Sequence, residues 1–409
     1  MFRRFLAAVF AGVLSLVAAG ARSAEDPFAF DLNDASTTES PWALSGSVEV
    51  RHQSYTEQGG ELSQRVRAVF EPEWRHGRWL AFMQTTHEVD AAVDQFRAPY
   101  RGDFLQGFLR YDGDVVDVTV GKQRINWGVA DGRATIDRIN AFDLRDPIGN
   151  ARTPSRRPST ALHVQTDLGQ SQLEIAYLPF GPDRKLPEWN SPWEPAAFSE
   201  LRQLRGADGC QAEIEDSTTP EGGVRWFRYG RGLDVGAAVY HGSLAAYRRQ
   251  ERVTTLGFEP VRATTYNLSL ALSALSSSWR AEVAYTPRAL APNGRTGGLQ
   301  QVIAGWDRSI GAGTYVNLQF YSDRFEAGPD ETGATFAVTQ EAFDTAVEFG
   351  FRGQVANRGQ RILEGYADWN RTDRLHLVAR WVGFSANAGT ALEPYAENDF
   401  FELSARWAF

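Results

Sequence analysis

The stretch of residues 122–146 carries many charged side chains of both signs at close spacing. Its cations are Lys122, Arg124, Arg133, Arg138 and Arg145. Its acids are Asp131, Asp137, Asp143 and Asp146. Side chains of opposite sign can pair within a folded loop, and desolvated pairs fix the position of a segment more than they add to its stability. The pattern therefore predicts a structured loop held by an internal network of ion pairs.

The sequence is consistent with two locations for this loop. Folded back into an enclosed interior, it would form a constriction that sets which solutes pass. Packed on an outer rim, it would be a structured surface loop. The aspartates, together with Asn140, also suggest a calcium site, but their spacing matches no EF-hand loop. We therefore expect no bound metal and no cofactor.

Catalytic motifs are missing from the sequence. It contains no G-x-S-x-G, no H-E-x-x-H and no pair of cysteines, because Cys210 is the only cysteine. The six histidines are scattered along the chain. We expect a protein that is not an enzyme.

The strands that would position the loop are clearest at the C-terminus. Counting back from Phe409 in steps of two gives Trp407, Ala405, Leu403 and Phe401, which are all apolar, whereas the residues between them are mixed and partly charged. A period of two predicts a strand with one apolar and one polar face. A strand that ends in an aromatic residue is typical of the last strand of an outer-membrane β-barrel, whose apolar face contacts lipid. Phe401–Phe409 would then be the segment that the barrel assembly machinery recognises, and the competing interpretation is the last strand of a soluble β-sandwich.

Charged residues in the other alternating segments fall on one side only. Arg280 and Glu282 interleave with apolar residues, and so do Glu348 and Arg352. A charge that faces lipid at the membrane midplane costs about 2–4 kcal/mol, so a strand with several charges must turn them all inward. The residues predicted to line or constrict a pore are Arg65, Arg67, Arg110, Lys122, Arg124, Asp131, Asp137, Asp143, Arg145, Asp146, Arg280, Glu282, Glu348, Arg352 and Arg380.

Short turns and long loops alternate along the chain. The short turns lie near 76–78, 112–114, 168–170, 230–232, 276–278, 310–313 and 370–373, and the longer polar segments at 88–102, 124–157, 180–221, 244–261, 288–297 and 322–340. This rhythm is expected when one end of a barrel faces the periplasm and the other faces outside. The pattern shows 17 strands directly, and single-chain bacterial barrels have even numbers. One more strand at Thr332–Thr339 gives an all-β, transmembrane antiparallel β-barrel of 18 strands with long extracellular loops, with 16 strands as the alternative.

The N-terminus has the layout of a secretory signal peptide. Arg3 and Arg4 precede an apolar stretch that ends at Ala19, and Ala19-Gly20-Ala21 fits a cleavage site. We assign 1–24 to the signal peptide, 25–41 to a periplasmic lead-in and 42–409 to a single outer-membrane barrel. After the signal, no apolar run approaches the roughly 18–20 residues of a membrane helix. Cleavage after Ala21 removes two of the 42 basic residues, so 40 remain against 51 acidic ones, and a net charge of −11 argues against nucleic acid as a partner.

The charged stretch also carries a sequence resemblance. Its matching residues are Gly121-Lys122-Gln123, Trp127-Gly128, Asp137, Asn140, Asp143 and Arg145. This motif is similar to one in a Gram-negative outer-membrane family known only as a domain of unknown function, whose members often occur beside RND-type exporters. The resemblance implies a porin-like barrel associated with envelope transport, and it supplies no catalytic residue.

We therefore expect an outer-membrane channel for the passive passage of small polar or charged solutes. The loop 180–221, which contains Trp193, is long enough to plug or gate such a channel. The alternative is a non-conducting outer-membrane partner of an RND-type export system. Expected partners are outer-membrane lipid and the barrel assembly machinery, with an RND-type exporter as a further candidate and no nucleic acid.

Overall fold

The computed structural model describes residues 40–409 with gaps at 57–60, 92–99, 131–132, 137, 144, 146–155, 183–184, 186–191, 195–210, 215–218, 252–254 and 391. The predicted signal peptide and nearly all of the predicted lead-in lie outside these residues. Trp42–Phe409 forms one compact unit. Within the described ranges, no helix is long and apolar enough to cross a membrane.

The described elements are strands and two short 3-10 turns at Asn357–Gly359 and Glu393–Tyr395. The strands are β1 (Trp42–Tyr55), β2 (Glu61–His76), β3 (Trp79–Asp90), β4 (Tyr100–Asp112), β5 (Val116–Gln123), β6 (Ala141–Phe142), β7 (Arg156–Arg157), β8 (Ser159–Leu168), β9 (Ser171–Leu178), β10 (Gln211–Ile214), β11 (Glu221–Arg228), β12 (Leu233–Glu251), β13 (Thr255–Ala274), β14 (Ser277–Leu290), β15 (Thr296–Ile310), β16 (Thr314–Phe325), β17 (Glu331–Ala342), β18 (Val347–Ala356), β19 (Arg361–Asn370), β20 (Leu375–Ser385) and β21 (Phe400–Ala408).

Eighteen of these strands close into an antiparallel barrel, so the predicted fold and strand number are confirmed. Each barrel strand pairs with the next one along the chain, and β1 pairs with both β2 and β21. Backbone hydrogen bonds between Gly46 and Phe409 continue the seam in both directions, at 2.9 and 3.0 Å. Closure removes the sheet edges, and therefore the row of unpaired backbone groups that an edge strand would present.

The three remaining strands are not members of the ring of eighteen. β6 and β7 pair with each other in the segment between β5 and β8. β10 runs parallel to the β13 residues Thr255–Phe258, at the end of β13 that leads away from the short turns.

The strand predicted at Thr332–Thr339 is present, because β17 pairs with both β16 and β18. Two other predicted loops are mostly strand. β12 and β13 extend through most of 244–261, since their backbones stay paired beyond a register shift at Ser243. The part of the polar segment 322–340 that precedes the strand predicted at Thr332–Thr339 shrinks to a turn, because Asp323 still pairs with Glu331. The polar side chains in these segments predicted loops. The strands nevertheless continue there, because the backbones of neighbouring strands remain hydrogen-bonded.

Side chains alternate between two different faces of the barrel wall. On β13, Leu268, Leu270 and Leu272 point outward and are exposed, whereas Asn267 and Ser269 point inward and are buried. The same period of two holds on the closing strand, where Leu403 is exposed on the outer face. This alternation follows from strand geometry, which sends successive side chains to opposite faces. The outer face is therefore apolar and the interior polar.

Aromatic rings collect on the outer face near the short turns. Neighbouring ring pairs at this level are Trp42–Trp74, Trp79–Tyr111 and Trp279–Trp306. Amphipathic rings bordering an apolar band are the arrangement that a membrane–water interface favours.

Candidate functional site in the barrel interior

The segment between β5 and β8 folds into the barrel rather than onto its rim. We call its described residues 124–145 the inner loop. Ile125, Trp127, Ile136 and Ile139 are buried together with inward residues of β8, β9 and β12. These wall residues are Ala161, Ala176, Leu178, Ala238 and Tyr240. An apolar cluster on the interior face of a barrel gives the loop a hydrophobic seat, which decides between the two positions that the sequence left open.

Glu282 on β14 is the main polar anchor of the inner loop. Its Oε1 accepts hydrogen bonds from the backbone N–H groups of Val129 and Ala130, at 2.7 and 3.0 Å. Its Oε2 accepts from the backbone N–H and the hydroxyl of Thr135, both at 2.7 Å. The Thr135 hydroxyl in turn accepts a bond from Asn267 on β13, at 2.7 Å. The carboxylate is completely buried, so these four donors replace the water that it would otherwise need.

Arg133 carries the inner loop across to β16 and β17. Its guanidinium pairs with Asp323 at 2.5 Å and Glu331 at 2.7 Å, and it lies 4.2 Å from the centre of the Tyr321 ring. Gln319 donates to the Arg133 backbone carbonyl at 2.6 Å. Burial alone would lower the pKa of Arg133, but the two acids outweigh it and raise that pKa. Sequence reasoning missed both acids, which lie in or beside a segment that it treated as a loop.

A second cation of the inner loop, Arg138, is held more by neutral groups. Its guanidinium donates to the Gln301 side chain on β15 and to the Thr135 carbonyl. Burial is the main cause that lowers the pKa of Arg138 to about 10, so the side chain stays charged at neutral pH. Because these hydrogen-bond partners are neutral, they hold the Arg138 side chain in place but leave its positive charge unpaired by them.

Glu174 on β9 links the apolar part of the inner loop to the wall. It accepts a hydrogen bond from the Trp127 indole at 3.1 Å and pairs with Arg225 at 2.8 Å. His163 lies 3.1 Å from the same carboxylate. The indole is therefore fixed by its polar edge as well as by packing.

Four charged residues fix the end of the inner loop beside β4. Arg145 pairs with Asp143 at 2.5 Å and with Asp103 at 2.8 Å. Arg157 pairs with the same two acids at 3.1 and 3.3 Å. Burial alone would raise the pKa of Asp143, but the arginines outweigh it and hold that pKa below its ordinary value. An ion-pair network thus exists, but Asp103 and Arg157 complete it, while Asp131, Asp137 and Asp146 lie outside the described residues.

Strands β1–β4 and β18–β21 carry a second set of charges, which we call the charged band. Its members are Arg51, Arg65, Glu88, Asp90, Arg101, Arg352, Glu364, Arg380 and Glu402. Arg352 pairs with Glu364 through two bonds, at 2.8 and 3.0 Å, and Arg380 pairs with Glu402 at 2.5 Å. On the other side of the seam, Arg65 pairs with Asp90 at 2.9 Å. Gln53 donates to Glu402 at 2.6 Å and bridges the two halves.

Most of the other predicted lining residues also point inward. Arg67 lies between Glu49 and Glu88 on the neighbouring strands. Arg280 pairs with Asp307 at 2.7 Å. Glu348 accepts a hydrogen bond from the Tyr366 hydroxyl at 2.7 Å, and Arg110 pairs with Asp112 near a short turn. Arg110, Arg280 and Glu348 lie near the short turns, whereas Arg67 lies beside Glu88 of the charged band.

Lys122 and Arg124 do not join the interior set. The inward positions of β5 are Thr119 and Gln123, both buried, so Lys122 falls on the outward face. Its amine donates to the Phe104 carbonyl at 2.9 Å. Arg124 is exposed where the strand ends, and it donates to the Arg156 carbonyl. Sequence proximity to the charged stretch suggested an interior role, but strand parity places Lys122 on the other side.

A second segment enters the interior from the connection between β9 and β11. We call Pro192–Glu194 the mouth segment. The Trp193 indole is 3% exposed and packs with Leu62, Val382, Phe384 and Phe400. The Trp193 carbonyl accepts a hydrogen bond from Tyr395, and the Pro192 carbonyl accepts one from Asn398, at 3.1 and 2.6 Å. Across the described residues, no group of three or more His, Cys, Asp or Glu side chains is arranged to hold a metal ion.

Comparison with solved structures finds barrels of the same kind. OccAB3 of Acinetobacter baumannii aligns with a TM-score of 0.55 and 9% identity, covering 91% of this chain and 100% of that one. An anion-selective porin from Comamonas acidovorans aligns with a TM-score of 0.46 and 11% identity, covering 90% and 99% of the two chains. OmpF of Salmonella typhi, in a complex with daunomycin, aligns with a TM-score of 0.45 and 12% identity, covering 90% and 97%.

Of these three alignments, the one to OccAB3 bears on the fold. At 9% identity, the likeness to OccAB3 shows a shared barrel architecture and nothing about a shared solute. A scan against protein-family models finds no match, so the resemblance to the Gram-negative family of unknown function gains no support from it. A search of curated proteins finds no match either.

Proposed function

We propose that this chain is an outer-membrane, porin-like channel through which small polar or charged solutes pass passively. The observation that carries the proposal is the closed 18-stranded wall, apolar outside and charged inside, with the inner loop anchored across its interior. A barrel of this strand number encloses a space wide enough for water, unless loops fill it. Export by the N-terminal signal peptide and insertion into the outer membrane belong to the same proposal.

Selection would occur where the inner loop faces the charged band. One wall of this passage presents arginines and carboxylates in alternation, such as Arg352 beside Glu364 and Arg380 beside Glu402. The other presents a loop whose position is fixed by Glu282. Because the charged band carries both signs, it can attract either sign of solute while holding each weakly, as conduction requires.

Planar-bilayer recording tests this function directly. Purified mature protein should insert from detergent and give discrete conductance steps in potassium chloride. A salt gradient should then give a reversal potential that changes when Arg352 is replaced by Gln, because one cation of the charged band is lost. A protein that is soluble without detergent, or that inserts fully folded without conducting under any voltage, would refute the proposal.

The second candidate is a non-conducting outer-membrane partner of an RND-type export system. The observation that favours it is that inward-facing Val382 and Phe400 are completely buried, so part of the interior is filled. The resemblance of residues 121–145 to a family found beside RND-type exporters points the same way. Silent bilayers together with co-purification of inner-membrane or periplasmic components would favour this candidate over the channel.

A further inference from the structure

Two segments enter the barrel, and different kinds of contact hold them. The inner loop has a buried carboxylate with four donors, an arginine with two acids and an apolar cluster beneath it. In the mouth segment, the Trp193 indole packs in an apolar cluster, and the carbonyls of Pro192 and Trp193 accept hydrogen bonds from Asn398 and Tyr395. The inner loop is thus anchored through buried charges, and Trp193 is seated against apolar side chains.

The seat of Trp193 is unusual for a polar interior. Val382 and Phe400 point inward and face each other in the register of β20 and β21. An inward side chain of a barrel is fully buried only if something covers it, and Trp193 does so, with ring centres 6.4 Å from Phe400 and 6.0 Å from Phe384. The indole thus packs into an apolar site on the inner face of β20 and β21.

Two members of the charged band lie next to this seat, on the side toward the short turns. Arg380 lies two residues before Val382 on β20, and its guanidinium is 5.7 Å from the centre of the Phe400 ring. Glu402 lies two residues after Phe400 on β21 and pairs with Arg380. Both charged residues are buried, and they lie next to the seat of Trp193 on the same two strands.

We propose that Trp193 is the plug of the channel: the mouth segment leaves its seat on β20 and β21 to open the interior beside the charged band, while the inner loop stays anchored. This inference rests on the proposed channel function and adds the moving part. Trp193 is here a gating residue that controls access to the charged band, and the inner loop sets the fixed boundary of the opening.

A reversible tether tests the plug without removing the indole. Pro192→Cys and Asn398→Cys are placed together in a Cys210→Ser background, because the Asn398 side chain contacts the Pro192 carbonyl at 2.6 Å. A short thiol-reactive cross-linker with a reducible bond then fixes the mouth segment to its seat. We expect tethering to lower the single-channel open fraction at least tenfold, and reduction to restore it.

Removing the plug gives the opposite result. Trp193→Ala should raise the open fraction several-fold, and Trp193→Phe should lie between it and the parent protein. Trp226→Ala is the matched control, because Trp226 is an outward-facing tryptophan on β11 that should not affect gating. Circular dichroism and protease resistance show whether each variant is folded.

The outcomes separate the plug from the channel. If neither the tether nor Trp193→Ala changes the open fraction of the channel, the plug is refuted and the channel proposal is unaffected. Silence of every folded variant, with Trp193→Ala and the reduced tether included, overturns the channel and the plug together. Loss of current on tethering, with recovery on reduction and a larger open fraction in Trp193→Ala, supports the proposal.

Discussion

Replacing Glu282 by Gln should release the inner loop from the barrel wall. The carboxylate accepts four hydrogen bonds, two on each oxygen. An amide keeps one accepting oxygen and turns an NH₂ group toward two donors, so two bonds are lost. A hydrogen bond to a charged group contributes about 1.5–3 kcal/mol, and the loss is therefore about 3–6 kcal/mol.

That loss can be expressed as a population. Since each 1.4 kcal/mol changes an equilibrium about tenfold, the ratio of docked to undocked loop should fall by a factor of about 10² to 10⁴. The remaining anchors, Arg133 with its acids and the apolar cluster, oppose full release. We expect the lower end of this range.

Trypsin cleavage in detergent or liposomes provides the assay. Arg133 and Arg138 are cleavage sites within the inner loop, and both side chains are engaged with the wall. Cleavage there should accelerate by about the factor by which the undocked population rises, as long as docking is fast relative to cleavage. Channel recordings should show a larger and noisier conductance in the same variant.

Glu348→Gln is the control for this experiment. Glu348 is an inward carboxylate with a hydrogen bond from Tyr366, and it lies in the half near the short turns, away from the loop. Equal cleavage rates in the parent protein and Glu282→Gln, with both variants folded, would show that Glu282 does not anchor the loop.

Three further predictions concern other parts of the barrel. The pKa of Asp143 is lowered in the folded protein, so the stability that this carboxylate contributes is fully present above about pH 4 and is lost as the pH falls through the folded pKa. Cleavage of the inner loop by an acid-active protease should therefore increase only below about pH 4. An increase that begins near neutral pH would contradict this prediction. Leu403→Asp places a charge on the outer face and should reduce barrel stability by about 2–4 kcal/mol in lipid if the residue lies near the midplane, whereas Ser404→Asp, on the inward face, should cost much less in the same denaturant titration. Arg352→Gln should shift the reversal potential in a salt gradient, while Lys122→Gln should not; equal shifts would mean that Lys122 reaches the interior after all.

The barrel could be predicted because the alternation of polar and apolar residues within each strand shows which face meets lipid and which meets the interior. Leu403 and Trp407 alternate with Glu402 and Arg406 in the sequence, and this local period gives the two faces without any knowledge of neighbours. Strand number followed from the need for even pairing, and β17 was found where that rule required it. Lys122 shows the limit, because a strand of eight residues beside a charged loop gives few positions from which to read parity.

The contacts of the interior could not be predicted in the same way. Arg133 pairs with Asp323, 190 residues further along the chain, and Trp193 sits on a seat whose Phe400 is more than 200 residues away. Nothing in the local pattern of either segment distinguishes these partners from other acids or aromatic residues of the same face.

The sequence alone therefore determined the barrel wall. Polar and apolar residues alternate in strand after strand, and a sheet of such strands in a membrane must close on itself. Only the tertiary structure decided what fills that wall, because closure brings distant strands to face one another across a common space. Which inward side chain meets Glu282 or Trp193 depends on the register and circumference of the whole barrel, and these are properties that no single strand contains.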